Sequence, residues 1–166
     1  EAYVEFAKYS LIKYVKEYPN LVILRTFSKA LGLAGARVGY MVANDELADL
    51  FRNRIQLPYA VNSLSLAIAI SLISSPRKVE ESISLIKLER ERLYQRLSKI
   101  KNINVSKSDA NFLFIKCNTK YGRIVDALEN SKIIVKALGN INNYGNCIRM
   151  TVGTKKMNDK ILSTIK

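Results

Sequence analysis

The sequence predicts an α/β protein in two parts, and three patterns support this. In the first part, segments with helical periodicity alternate with short continuous apolar runs of the kind found in covered strands. The second part follows the order strand, helix, strand, strand, helix, which predicts a compact α+β unit. Ser75-Pro76 separates the parts, because a serine N-cap with proline at the first helical position begins a helix. The predicted domains are residues 1–75 and residues 76–166.

The elements of the first part follow from periodicity and from helix caps. Apolar residues recur every three positions between Phe6 and Tyr18, which predicts a helix that ends at Pro19. Residues 64–74 are apolar nearly all round, so that helix is expected to be buried. The other predicted elements are strands at 21–24 and 38–43 and a helix that is capped by Asn44 or Asp45 and runs to about Gln56.

The second part begins with the long helix that follows Ser75. Its apolar residues keep spacings of three, four and seven from Val79 to Ile100, which predicts one apolar face on a helix of about 25 residues. Glutamate, lysine and arginine fill much of the other face. Beyond this helix, strands are predicted at 112–116, 133–136 and 148–152, and helices around 124–128 and at 156–165.

The charge balance is strongly basic, with 27 lysines and arginines against 14 acidic residues and a net charge of +13. Such a balance suggests three classes of partner, namely nucleic acid, anionic membranes and phosphorylated small molecules. The basic residues are dispersed and form no block, which favours a lysine-rich surface over a nucleic-acid face. The apolar part of the longest uncharged run, Leu64 to Ile73, is too short to cross a bilayer. Neither nucleic acid nor a membrane is therefore expected as a partner.

The chain contains no histidine and only two cysteines, Cys117 and Cys147. The lack of histidine excludes histidine metal sites and every Ser-His or Cys-His nucleophile pair within the chain. The wide cysteine spacing is neither a metal-ligand pattern nor a disulfide framework, and it suits a reducing compartment such as the cytoplasm. No metal site is expected. Covalent chemistry would have to use lysine, tyrosine, serine, threonine, cysteine or a carboxylate.

The segment from Thr26 to Tyr40 carries the residue types of a covalent lysine site. Lys29 lies just beyond a predicted strand, with the hydroxyls of Thr26 and Ser28 before it and Arg37 after it. A lysine that attacks an aldehyde must be neutral, and a phosphate beside it is well bound by hydroxyls and a guanidinium group. The glycines at 32, 35 and 39 let the backbone approach a flat ring closely. On residue types alone, an ordinary loop lysine with glycine turns is the favoured interpretation of the segment, because a single glycine-rich loop is weak evidence for a site.

The motifs, taken together, resemble the aspartate-aminotransferase superfamily of pyridoxal-phosphate (PLP) enzymes, and within it histidinol-phosphate aminotransferases most closely. Ser28-Lys29-Ala30 followed by Gly32-Leu33-Ala34-Gly35 and Arg37 is similar to the Schiff-base signature of that superfamily. The resemblance covers essentially the whole chain and implies the second half of a large domain with a mainly parallel sheet, plus a small α+β domain. The further matching segments are Glu1-Ala2-Tyr3-Val4-Glu5-Phe6, Pro58-Tyr59-Ala60-Val61-Asn62, Ala110-Asn111-Phe112 and Ile148-Arg149-Met150-Thr151-Val152-Gly153-Thr154.

The resemblance also implies roles for residues near the cofactor. Lys29 would hold PLP as a Schiff base and move the α-proton of the substrate, and Tyr3 would donate a hydrogen bond to the phenolic oxygen of the cofactor. Thr26, Ser28 and Arg37 would lie around the cofactor phosphate. The family aspartate that pairs with the pyridine nitrogen precedes the residue matched by Glu1, so it is not part of this chain.

A second group of residues is implied in substrate binding. Arg149 would bind an anionic group, most simply a carboxylate held bidentately. Asn111 would lie near the substrate, and Lys136 stands where the family often has arginine. Lysine supplies charge but no planar fork, so Lys136 leaves the substrate open. Tyr59 and Asn62 are expected to shape an interdomain or dimer region.

The full-length protein is therefore expected to be a homodimeric aminotransferase of histidine biosynthesis that moves an amino group between histidinol phosphate and 2-oxoglutarate. The chain matches only the carboxy-terminal half of the family, so this fragment is not expected to be active alone. The alternatives are a threonine-phosphate decarboxylase or another amino-acid aminotransferase of the same fold. A remote alternative is a non-catalytic basic module that binds nucleic acid, for which the chain lacks a basic and aromatic stacking surface.

Overall fold

The computed structural model describes residues 1–165 and divides into two compact units, of which the first is Glu1–Ile83 and the second begins at Ser84. Each unit has its own sheet and its own buried cluster. The assignment of a partial cofactor domain to residues 1–75 and a small domain to residues 76–166 stays a prediction.

The first unit contains strands β1 (Ile23–Thr26) and β2 (Gly39–Val42), which pair antiparallel with Thr26 opposite Gly39. The mainly parallel sheet expected from the sequence is therefore not found between these two strands. The loop at residues 27–38 contains a short 3₁₀ turn and no crossover helix of the kind that usually joins parallel neighbours. The α/β class itself is confirmed by the solved structures described below.

The prediction of a helix between Phe6 and Tyr18 is wrong. Only two short 3₁₀ turns form there, at Val4–Phe6 and Ile12–Tyr14. The carboxylate of Glu1 accepts hydrogen bonds from the Ser10 hydroxyl and the Leu11 amide, and the Ser10 hydroxyl accepts one from the Ile12 amide. These partners compete with the backbone pattern of a continuous helix.

Helices α1 (Asp45–Arg54) and α2 (Ser63–Ser74) follow close to their predicted positions. The side chain of Asn44 caps α1 as predicted, by accepting a hydrogen bond from the Leu47 amide at 2.9 Å. The expected burial of α2 is wrong for this chain. The helix buries only Ser65 and Ala69, because the described residues of the unit cover the narrow side that carries these two residues. Large apolar side chains are exposed around the rest of the helix, at Leu64, Leu66, Ile68, Ile70 and Ile73.

The second unit packs helices against a four-stranded antiparallel sheet. Helix α3 (Arg77–Leu97) runs into this unit from the first. The sheet has the order β3-β4-β6-β5, and α4 and α5 bury their apolar residues in the same cluster as the sheet. The bounds are β3 Asn104–Val105, β4 Phe112–Lys116, α4 Tyr121–Asn130, β5 Lys136–Ile141, β6 Gly145–Thr151 and α5 Lys155–Ile165.

One face of this sheet forms the core, because directly opposed residues on neighbouring strands share a face. Leu113 pairs with Met150, and Ile115 pairs with Ile148, and all four are buried. The strand predicted at 133–136 begins instead at Lys136, since the amide of Ile133 donates to the carbonyl of Leu128 and continues the end of α4. Lys136 therefore lies at the start of a strand and not at its end.

Candidate functional site

Lys29 lies on a closed loop between β1 and β2. The amide of Phe27 donates to the Val38 carbonyl at 3.0 Å, and the amide of Leu33 donates to the Phe27 carbonyl at 3.0 Å. Between them, the Gly32 amide donates to the carbonyl of Lys29 at 3.2 Å. The side chain of Lys29 is exposed. The loop therefore presents the lysine amine to solvent on a backbone that is fixed at both ends.

Packing and one glycine contact explain why the sequence folds this way. Phe27 and Val38 are buried against Ala69 of α2, which anchors the base of the loop. A Cβ atom at Gly39 would lie 2.8 Å from the carbonyl oxygen of Arg25, closer than real Cβ contacts allow. Only glycine lets β1 and β2 approach this closely at the point where the loop closes.

The three residues expected around a phosphate all lie beside this loop. The Thr26 hydroxyl accepts a hydrogen bond from the Ser28 amide at 3.1 Å and lies 3.5 Å from the Val38 carbonyl. Arg37 adopts a left-handed backbone conformation, with φ 56°, and its guanidinium donates to the Ala34 carbonyl at 2.9 Å. All three residues line a cavity of about 780 Å³. Two hydroxyls and a guanidinium among the lining residues form a donor set that fits a phosphate.

Tyr3 approaches the lysine from another segment of the same unit. The amine of Lys29 lies 5.6 Å from the centre of the Tyr3 ring, within the range of a cation–π contact. Tyr3 directly precedes the first 3₁₀ turn. The structure therefore brings together Tyr3 and Lys29, which are far apart in sequence, and the contact of Tyr3 with the cofactor stays a prediction.

An ion pair that the sequence analysis missed fixes the segment that bears Tyr3. The Glu1 carboxylate lies 2.9 Å from Arg25 on β1, and both side chains are mostly buried. Burial alone would raise the pKa of Glu1, but hydrogen bonds from the Leu11 amide, Ser10 and Arg25 together lower it. The available signal for Arg25 was a charged residue directly after a predicted covered strand.

The substrate candidates lie in the second unit. Arg149 on β6 pairs with Phe114 of β4 on one side and with Lys136 of β5 on the other, so these side chains share the face opposite the core. The guanidinium carbon of Arg149 lies 5.1 Å from the centre of the Phe112 ring. Asn111 directly precedes β4, and its carbonyl accepts a hydrogen bond from the Val152 amide at 2.9 Å.

Arg149 and Lys136 form an exposed pair of like charges. Neither makes a salt bridge with a carboxylate among residues 1–165. Like charges directly opposite each other on neighbouring strands are destabilising. A bound carboxylate or phosphate would relieve this repulsion, so the pair suits an anion.

The sequence analysis also missed a buried polar network in the second unit. Asn158 of α5 is fully buried and donates a hydrogen bond to Glu89 of α3 at 2.8 Å. Arg92 holds both oxygens of Glu89, at 2.9 and 2.7 Å, and lies 2.6 Å from Asp159. The hydrogen bonds from Arg92 lower the pKa of Glu89, against the effect of burial. The sequence analysis did not single out Glu89, because helical spacing gives no tertiary partner.

Two family-matched residues have local roles in this structure. Asn62 caps α2, with its side-chain oxygen accepting from the Ser65 amide at 2.8 Å. Tyr59 is 98% exposed with φ 57°.

Within residues 1–165, no helix combines the length and apolar character of a membrane span, and no group of three or more potential metal-binding side chains occurs.

Comparison with known proteins extends these observations to the whole chain. The family model described as aminotransferase class I and II matches residues 1–165. A relative from Ruminiclostridium cellulolyticum, named histidinol-phosphate aminotransferase, is 38% identical over 99% of this chain and 46% of its own length. A relative of the same name from Pyrococcus furiosus is 41% identical over 100% of this chain and 46% of its own length. The chain thus spans about half the length of the curated relatives it matches.

Solved structures give the same result for the fold. A histidinol-phosphate aminotransferase from Clostridium acetobutylicum matches 100% of this chain and 52% of its own, with a TM-score of 0.87 and 28% identity. The enzyme of that name from Sinorhizobium meliloti, solved with pyridoxal-5'-phosphate, matches 99% of this chain and 46% of its own, with a TM-score of 0.84 and 28% identity. An L-threonine-O-3-phosphate decarboxylase from Porphyromonas gingivalis, at 21% identity and a TM-score of 0.83, shows the shared fold alone. The chain belongs to the class I and II aminotransferase family.

Proposed function

We propose that this chain is the lysine-bearing half of a PLP-dependent aminotransferase that transfers an amino group between histidinol phosphate and 2-oxoglutarate. The observation that carries the proposal is the placement of Lys29 on the closed loop, beside Tyr3 and next to the cavity lined by Thr26, Ser28 and Arg37. The names of the relatives support the reaction, and the PLP complex of one similar structure supports the cofactor.

PLP, when bound, would supply an electron sink for the bond that breaks at the α-carbon of the substrate. The amine of Lys29 would attach the cofactor at its aldehyde carbon, with loss of water. Once the substrate amine displaced it from that carbon, the freed Lys29 amine would take the proton from the α-carbon and deliver it to the former aldehyde carbon of the cofactor. Tyr3 would donate a hydrogen bond from its hydroxyl to the phenolic oxygen of the cofactor. Thr26, Ser28 and Arg37 would orient the phosphate, and the fixed ends of the loop would hold the amine in place.

The second unit would select the substrate. Arg149 would bind a carboxylate of the amino acid or oxo acid, and Lys136 would add charge for a carboxylate or for the phosphate of histidinol phosphate. Asn111 would contact the substrate beside them. We further propose that the full-length enzyme is a cytoplasmic homodimer, with a partial cofactor domain at residues 1–75 and a small domain at residues 76–166.

The cofactor half of the proposal is tested on the polypeptide itself. PLP is added, the visible absorbance is recorded, borohydride is added, and the reduced adduct is located by mass mapping. The expected result is one adduct, on Lys29, that is lost in Lys29→Ala. Lys13→Ala is a matched control, because the Lys13 amine also lies near a tyrosine ring, at 4.8 Å from that of Tyr14. An adduct spread over many lysines in proportion to exposure would contradict the assignment of Lys29.

The reaction is tested on the full-length enzyme. Amino transfer from histidinol phosphate that requires 2-oxoglutarate is expected for the wild type and absent for Lys29→Ala. Release of carbon dioxide from threonine phosphate without an oxo acid would instead identify a decarboxylase. A full-length protein that takes up no PLP would contradict both the aminotransferase and the decarboxylase assignment.

A further inference from the structure

The buried network of Glu89, Arg92 and Asn158 lies at the end of the strand that carries Arg149. Asn158 uses its whole amide group. Its nitrogen donates to the Gly153 carbonyl at 2.9 Å and to Glu89 at 2.8 Å, and its oxygen accepts from the Gly153 amide at 3.0 Å. The side chain thus pairs with both backbone groups of Gly153, as a neighbouring strand would.

Gly153 has little freedom to move. A Cβ atom there would lie 3.2 Å from the Cβ of Met157 and 3.4 Å from the side-chain oxygen of Asn158. The residue before it, Val152, is buried and donates its amide to the Asn111 carbonyl at 2.9 Å. A displacement of the turn at Gly153 would therefore be passed to Asn111 on one side and along β6 towards Arg149 on the other.

Glu89 supplies a fixed acceptor for Asn158. It is 8% exposed, and Arg92 donates to both of its oxygens. Arg92 is held in turn by Asp159 at 2.6 Å. The next residue of α3, Arg90, donates to the Ala110 carbonyl at 2.8 Å, directly before Asn111. Helix α3 thus contacts the backbone next to Asn111 directly, and it contacts the turn at Gly153, which follows the strand of Arg149, through Asn158.

The network is costly for a structural role alone. A buried carboxylate and a fully buried amide require complete hydrogen bonding to offset their desolvation, and apolar residues of similar size would fill the space without that requirement. Fixed polar partners are useful where a side chain must be held in one orientation for a ligand.

We infer that Asn158 and Glu89 are positioning residues that set the turn at Gly153 and thereby the orientation of Arg149 towards the anionic group of the substrate. This inference rests on the proposed role of Arg149 in substrate binding. The network does not touch the reacting atoms, so its loss should weaken substrate binding more than it slows the chemical step.

The test uses the full-length enzyme and the substitution Asn158→Asp. The new oxygen faces Glu89 and cannot donate to it or to the Gly153 carbonyl, while the size of the side chain is unchanged. The expected result is a rise of about tenfold in KM for 2-oxoglutarate with kcat changed by less than about threefold, as for a displaced binding group. The control is Glu91→Gln, since Glu91 lies two residues from Glu89 and accepts a hydrogen bond from Gln95 on the same helix.

Two further measurements keep the inference testable if Asn158→Asp folds poorly. Glu89→Gln retains an acceptor for Asn158 and is expected to raise KM less than Glu89→Leu, which removes it. The Nε–H resonance of Arg149 should shift in Glu89→Leu and not in Glu91→Gln. KM values equal to wild type in folded variants, with lowered stability only, would overturn the inference and leave the proposed function intact. If substitution of Arg149 leaves KM unchanged from the wild type, Arg149 does not bind the substrate, and this inference is overturned with that role.

Discussion

Glu1 and Arg25 lie 24 positions apart in sequence, and their side chains meet at 2.9 Å in the first unit. The contact joins the segment that bears Tyr3 to the strand that leads into the Lys29 loop. Arg25 also donates to the Ser10 hydroxyl at 2.8 Å and to the Tyr40 hydroxyl at 3.4 Å. One guanidinium therefore ties three segments together next to the lysine.

Arg25→Lys is expected to destabilise the first unit by about 1 kcal/mol, because lysine keeps the charge but loses the planar fork that reaches several partners. Urea unfolding measured by circular dichroism checks this. The matched control is Arg52→Lys, because Arg52 forms an exposed ion pair with Asp49 that contributes little. Equal effects of the two substitutions would show that the contacts of Arg25 add nothing beyond its charge.

Gly39→Ala is expected to destabilise the first unit by about 1–3 kcal/mol, because the added methyl group would meet the Arg25 carbonyl oxygen at 2.8 Å. The two strands would have to separate, and PLP uptake at Lys29 should fall with them. Gly35→Ala is the control, since nothing lies within 4 Å of a Cβ atom there. The measurements are urea unfolding and the yield of the borohydride-reduced adduct.

The second unit is expected to lose stability in acid through Glu89. Hydrogen bonds from Arg92 lower the pKa of Glu89 below its ordinary value of 4.5. A group with a lowered folded pKa contributes its full stabilisation above the unfolded pKa and loses it as the pH falls through the folded pKa. Unfolding midpoints should therefore drop below about pH 4.5, and Glu89→Gln should flatten this part of the profile. An unchanged slope in Glu89→Gln would assign the acid sensitivity to other carboxylates.

Cys117 is expected to resist thiol reagents in the folded protein. Its side chain is fully buried, and burial, with a smaller effect of Cys147, raises the pKa of its thiol to about 11. Since the thiolate is the reactive species, little of it forms at neutral pH. Labelling by a thiol reagent, followed by mass mapping, should modify Cys117 only after urea is added. Rapid labelling without denaturant would mean that this part of the core opens readily.

Lys136→Arg is expected to lower KM for the anionic substrate of the full-length enzyme by severalfold, because arginine can bind a carboxylate or phosphate through two parallel hydrogen bonds. Lys136→Ala should raise KM. The control is Lys132→Arg, an exposed lysine outside the strand that pairs with Arg149. If Lys136→Arg and Lys132→Arg behave alike, Lys136 does not contact the substrate.

The sequence predicted the elements whose signals are local. Strand β4 occurs at its predicted residues, and Asn44 caps α1 as predicted. Resemblance to the family motifs placed Tyr3 and Lys29 at one predicted cofactor site, although neither periodicity nor capping relates them. The two side chains lie close together in the structure. The helix predicted after Phe6 failed because Glu1 provides partners from outside the segment, which a periodic pattern does not contain.

The Glu89 network could not be predicted for a related reason. A glutamate on a charged helix face has the same sequence pattern whether it faces water or a buried asparagine 69 positions away. The error for α2 was the opposite one, because the helix was predicted to be buried and its large apolar side chains are exposed. Its composition shows that the helix is suited to an apolar environment, but not that this chain supplies one.

The exposed apolar side chains of α2 also affect how the polypeptide must be handled. Leu64 is 71% exposed and Ile73 is 59% exposed, at opposite ends of one helix. Exposed apolar surface of this kind promotes aggregation in concentrated solution and binds hydrophobic dyes. Purification of the 166-residue polypeptide will therefore favour dilute samples and a solubility fusion, and dye fluorescence will report on this helix before any unfolding begins.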